Sequence, residues 1–186
     1  MQCDSIYHKS CRYGKENMMF EKFGEMDYEE FIRTAAAERQ EGDLEALITL
    51  AVENGLEKED AEDYMDGIVD TLATPYMAAL AKLEGEAKEL GIRGHQLDQK
   101  DVILTLLDKN EELCLAVRKK EKTLTECLAR ILTFSSECAV QVPDAIVKLA
   151  EFRMDGRKKK MKGPVYEGGE TKADVRRIAK EYYLEA

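Results

Sequence analysis

The sequence predicts an all-α protein: a compact multi-helix bundle of seven to nine short helices, with a basic, glycine-rich loop before the last one. Three observations carry this. Apolar residues recur at i, i+3, i+4 and i+7 through most of residues 27–152. Capping residues and glycines fall where those runs begin and end. Only Val165 and Tyr166 suggest a strand, and that strand has no evident partner. At 186 residues the chain holds one domain, or one and a small appendage. It divides into a flexible N-terminal extension (1–25), an acidic helical cluster (26–70), a helical core (71–152), and a basic loop with a docked C-terminal helix (153–186).

Asp27, with Glu30 three residues on, predicts the first N-cap, and Phe31, Ile32, Ala35 and Ala36 form the stripe behind it. Gly42 ends that helix. Asp43 caps a second, with Leu44, Leu47, Ile48 and Ala51 inward and Gly55 as its stop. A third spans 58–66 with Ala61, Tyr64 and Met65. Pro75 suits the first turn of the next, whose seam is Tyr76, Leu80, Leu83, Ala87 and Leu90. Asp98 caps a run with Val102, Ile103, Leu106 and Leu107 on one face. Asn110 opens a helix carrying Leu113, Cys114 and Val117. Thr123 and Glu126 form the clearest capping box, ahead of Leu124, Cys127, Leu128, Ile131 and Leu132. Val142-Pro143-Asp144 breaks that helix and opens another, with Ile146, Val147, Leu149 and Ala150 apolar. Residues 153–170 carry four glycines, a proline and a basic run, and read as a mobile loop. Thr171 caps the last helix. Its stripe of Val175, Ile178, Ala179, Tyr182 and Tyr183 is too apolar for water, so it should dock on the body.

Several function classes are excluded. No window approaches 18 apolar residues, so no membrane span is expected. The first 25 residues lack the apolar core of a secretory signal, which places the protein in the cytoplasm of a bacterial host cell. Cys114, Cys127 and Cys138 read as small buried apolar residues in that reducing setting. Cys3, His8 and Cys11 lack a fourth ligand for zinc, and the remaining histidine, His95, sits in a distant glycine-rich joint. Neither histidine has a nucleophile partner. Gly14-Lys15 lacks the phosphate-loop pattern, and Gly163, Gly168 and Gly169 lack the dinucleotide fingerprint. No catalytic residue, metal or cofactor is expected, and the chain reads as a non-enzyme.

Charge is distributed unevenly. Residues 25–70 hold sixteen acidic and three basic side chains, whereas residues 71–186 hold nineteen and twenty-one. The densest acidic piece is Glu57, Glu59, Asp60, Glu62, Asp63 and Asp66. It is either a solvated face or a docking surface for a basic partner, since complementary charge speeds encounter and selects the partner. It lacks the spacing of a calcium loop. The opposite patch is Arg153, Arg157, Lys158, Lys159, Lys160 and Lys162. It can contact nucleic-acid phosphates without reading sequence, or serve as a linker that pairs with the acidic half of the same molecule.

The runs DLEALITLAVENGLEKEDAEDYMDG, LATPYMAALAKLEGEAKEL, VRKKEKTLTECLARILTFS and ADVRRIAKEYYL together resemble small mobile-element proteins of gut Firmicutes. Some of those act as anti-CRISPR inhibitors of the type II RNA-guided nuclease. The resemblance covers about residues 27–186. It implies a binding protein that blocks DNA binding or cleavage by a type II CRISPR effector nuclease, whose guide–target channel is positively charged. The alternative is a DNA-binding accessory protein of a plasmid or conjugative element, with the basic segment on DNA.

Overall fold

In the computed structural model, which describes residues 23–185, five helix starts are fixed by side chains. Asp43, Thr74, Asn110, Thr123 and Thr171 each accept a hydrogen bond from the backbone N–H three residues on, at 2.9–3.2 Å. The helices are α1 (Tyr28–Glu41), α2 (Leu44–Glu53), α3 (Lys58–Met65), α4 (Pro75–Leu90), α5 (His95–Leu104), α6 (Glu111–Val117), α7 (Leu124–Glu137), the single turn α8 (Asp144–Val147) and α9 (Lys172–Leu184). The all-α prediction therefore holds, with nine helices among the described residues.

Three predicted caps differ. The Asp27 side chain does not cap α1; it accepts the Lys120 backbone N–H at 2.9 Å from across the molecule. Asp98 lies in the first turn of α5, which starts earlier, behind Gly94. At Thr123 the backbone N–H donates to the Tyr182 hydroxyl at 2.7 Å, so α9 takes the place that Glu126 would fill in a closed box.

The largest correction falls on the basic segment expected as a loop. Residues Glu151–Met154 (β2) and Arg157–Lys160 (β3) form an antiparallel hairpin. Asp155 and Gly156 turn it with φ of 52° and 72°. Asp-Gly with both angles positive is the two-residue turn whose twist matches paired strands. The expected lone strand also finds a partner: Val140–Gln141 (β1) pairs with Tyr166–Glu167 (β4). These two-stranded pieces leave the bundle all-α in its core.

Two apolar clusters make that core. Phe31, Ala35, Leu47, Leu50, Ala51, Leu56, Ala61, Tyr64 and Leu72 gather α1–α3. Leu83, Ile103, Leu113, Val117, Leu124, Cys127, Ile131, Val175, Ile178, Tyr182 and Tyr183 gather α5–α7 and α9. Helix α4 is the shared wall: Ala78 and Ala81 face the first cluster, Ala79, Leu83 and Ala87 the second. Its predicted seam included Tyr76 and Leu90, which are exposed. A helix buried on two sides needs small residues where neighbours approach, and alanine provides them. Helix α9 docks as predicted, against α5, α6 and α7. Ile146 and Leu149, two of the apolar residues read into that helix, are exposed because α8 lasts only one turn. Cys114 and Cys127 are buried as expected, whereas Cys138 is exposed.

Two cations are buried where the clusters meet. Lys82 bonds Glu25 at 2.5 Å and the Lys119 carbonyl at 2.8 Å. Arg118 donates to the Met26 carbonyl at 2.8 Å and to Asn54 at 3.0 Å. Glu25 and Phe23, placed by sequence in the flexible extension, are thus held to the body, Phe23 through its N–H on Glu53 at 2.9 Å. Cys3, His8, Cys11 and Gly14-Lys15 lie outside the described residues.

Candidate nucleic-acid interface

The hairpin register sorts its side chains into two faces. Directly opposed residues share a face, and neighbours along a strand alternate. Glu151 opposes Lys160 and Arg153 opposes Lys158, giving one face that is wholly charged. Phe152 opposes Lys159 and Met154 opposes Arg157, giving a second face that mixes apolar and cationic groups. Every residue of both strands is exposed, Phe152 by 39% and Met154 by 49%. The ribbon is therefore an arm with neither face buried in a core. A two-stranded hairpin without a core is marginal by itself, so this shape suits an element completed by a partner.

All but one of the cations on and just beyond the arm are unpaired among the described residues. Lys158 reaches Glu151 at 3.5 Å. Among the described residues the side chains of Arg153, Arg157, Lys159, Lys160 and Lys162 form no hydrogen bond or ion pair. The expectation that the patch pairs with the acidic half of the same molecule has no such contact behind it. A ribbon of this width fits the major groove of duplex DNA, and its unpaired cations can displace phosphate counterions.

The six acidic residues separate into two groups. The Glu57 N–H donates to the Asp60 carboxylate at 3.0 Å in a capping box at the start of α3. Glu62 pairs with Lys58 at 2.6 Å. Glu59, Asp63 and Asp66 remain; their i, i+4, i+7 spacing puts them on one exposed stripe. The stripe runs toward Ile68, which is 70% exposed, and Val69.

A third cluster was not visible in the sequence. His95 and Gln99, four apart on α5, both bind the carboxylate of Glu170, just before α9. The Glu170 side chain is only 3% exposed. Burial pushes its pKa up, but hydrogen bonds from its own N–H, Gln99, Ser135 and His95 win and hold it at about 2. A cleft of about 500 Å³ adjoins it, lined by Asp98, Val102, Thr105, Lys172, Val175 and Arg176. The Thr105 hydroxyl donates to the Val102 carbonyl at 2.6 Å, and Ser135 is engaged by Glu170. Both hydroxyls are committed, and the cluster ties the Gly168–Glu170 segment to α5. Only the i, i+4 pairing of His95 with Gln99 hinted at it.

No family model, curated protein or solved structure matches this chain.

Site assignment therefore rests on the chain's own chemistry. Among the described residues no group of His, Cys, Asp and Glu is arranged to hold a metal ion, and no helix is long and apolar enough to cross a membrane. The buried thiol of Cys127 is pushed up to about 12 by desolvation, which makes it a poor nucleophile. The basic arm and the acidic stripe are the two surfaces that sequence and geometry single out together.

Proposed function

We propose that this chain is a nucleic-acid-binding protein whose contact element is the β2–β3 arm, acting as an accessory factor of the kind carried by plasmids and conjugative elements. The observation that carries this reading is the set of four unpaired cations on an exposed two-stranded ribbon, Arg153, Arg157, Lys159 and Lys160, with Lys162 just beyond it. The net charge of −10 does not oppose it. Salt screens charges beyond about 8 Å at physiological ionic strength, so an arm acts on what it touches. The mobile-element setting is supported by the resemblance alone. The test is anisotropy of a labelled DNA titrated with wild type and with an Arg157→Gln, Lys159→Gln, Lys160→Gln variant. The wild type binds and the variant loses most of its affinity with its helical content unchanged. Equal binding by both proteins sinks the arm as the interface.

A second reading is favoured by the stripe of Glu59, Asp63 and Asp66 beside exposed Ile68 and Val69. In it the chain binds a type II CRISPR effector nuclease through this acidic surface and blocks DNA binding or cleavage. An acidic stripe with an apolar end complements a basic protein surface. Equimolar inhibition of guided cleavage, lost on changing Glu59, Asp63 and Asp66 to lysine, would support it. Full cleavage and no co-eluting complex would remove it.

A further inference from the structure

The two faces of the arm are chemically different, and the difference selects between forms of nucleic acid. The Glu151–Arg153–Lys158–Lys160 face offers only charge, one cation of which is already paired with Glu151. The other face sets Phe152 opposite Lys159 and Met154 opposite Arg157. There an aromatic ring and a thioether on β2 lie exposed beside two unpaired cations on β3. Duplex phosphates have no use for an exposed phenyl ring, because the faces of paired bases are stacked inside the helix. Unpaired bases do: an aromatic platform flanked by cations binds the base face and the backbone at once. Met161, directly after β3, is exposed as well.

We infer that the arm takes single-stranded nucleic acid, with a base stacked on Phe152 and the adjoining phosphates held by Arg157 and Lys159. The inference rests on the nucleic-acid reading above and narrows it. Met154 extends the platform as a soft, polarizable surface beside the ring. Recognition is indifferent to sequence, because every base offers a π-face and the contacts on this side of the ribbon are otherwise electrostatic.

The chain contains no tryptophan, so Phe152→Trp installs a sole indole reporter on the platform. That variant is titrated with oligo-dT of about 20 nucleotides, longer than the roughly 4–16 nucleotides that a single-strand site covers, and with a duplex of the same length. Phe152→Ala is measured alongside by anisotropy. The expected result is indole quenching by the single strand and little by the duplex. Phe152→Ala then weakens single-strand binding by roughly 5- to 150-fold, the range for one lost base stack. If both forms bind equally without quenching, and Phe152→Ala changes nothing while Arg157→Gln with Lys159→Gln abolishes binding, the stacking inference fails and the broader reading stands. If neither form binds at low salt, both fail, and the Phe152–Met154 face belongs to a protein contact.

Discussion

Arg118 has no exposed surface, yet its Nε and Nη1 find no hydrogen-bond partner among the described residues, while Nη2 serves both Met26 and Asn54. Desolvation lowers its pKa to about 10, against the pull of Glu25, Asp27 and Glu86. The guanidinium therefore stays charged at neutral pH and ties the residues before α1 to the end of α2. Arg118→Ala opens a cavity and strands the Asn54 amide, costing roughly 2–5 kcal/mol by urea denaturation. Glu170 gives a prediction with a definite sign. Its folded pKa of about 2 lies below the ordinary 4.5. Its contribution is thus complete above about pH 4.5 and is lost as pH falls toward 2. Melting temperatures of wild type and Glu170→Gln should differ most near neutrality and converge at low pH. A gap that persists unchanged at pH about 2 contradicts the assignment. Neither residue was legible in the sequence, because each acts through partners far away in the chain.

The helices were legible because each is written locally. Thr171 with Asp174, Asn110, and Asp43 carry their own caps, and the stripe of α9 alone foretold that it docks. The hairpin was not, although Asp155-Gly156 is a strong turn signal. Its strands, EFRM and RKKK, show little apolar alternation because no core lies beneath them. Val140–Gln141 and Tyr166–Glu167 are likewise too short and too far apart in sequence to announce their pairing. A close approach holds this second pair in place. A Cβ on Gly168 would stand 2.4 Å from the Ser135 carbonyl oxygen at the end of α7. Gly168→Ala should displace the segment that delivers Glu170 and cost about 1–3 kcal/mol, the usual range for overpacking. Unchanged stability together with an unchanged acid profile would mean that the segment has room the structure does not show.

Across the whole molecule the charge is segregated by element. The acidic excess lies on α1–α3, and the free cations lie on an arm inserted between α8 and α9. The bundle supplies stability, and the surfaces with unspent chemistry project from it. Charge counting located both surfaces in the sequence. It could not say that the basic one is a two-faced ribbon, or that half of the acidic set is consumed by capping and by Lys58. The claim that joins these observations is that the arm binds nucleic-acid phosphates. The most direct test is the affinity of the wild-type protein for single-stranded DNA across salt from about 50 to 200 mM. Binding through the arm's cations predicts a log–log slope of about −3 to −4, for roughly five phosphates at about 0.7 each, shrinking by about 0.7 for each cation removed. No measurable binding at about 50 mM, or a slope near zero, contradicts the account.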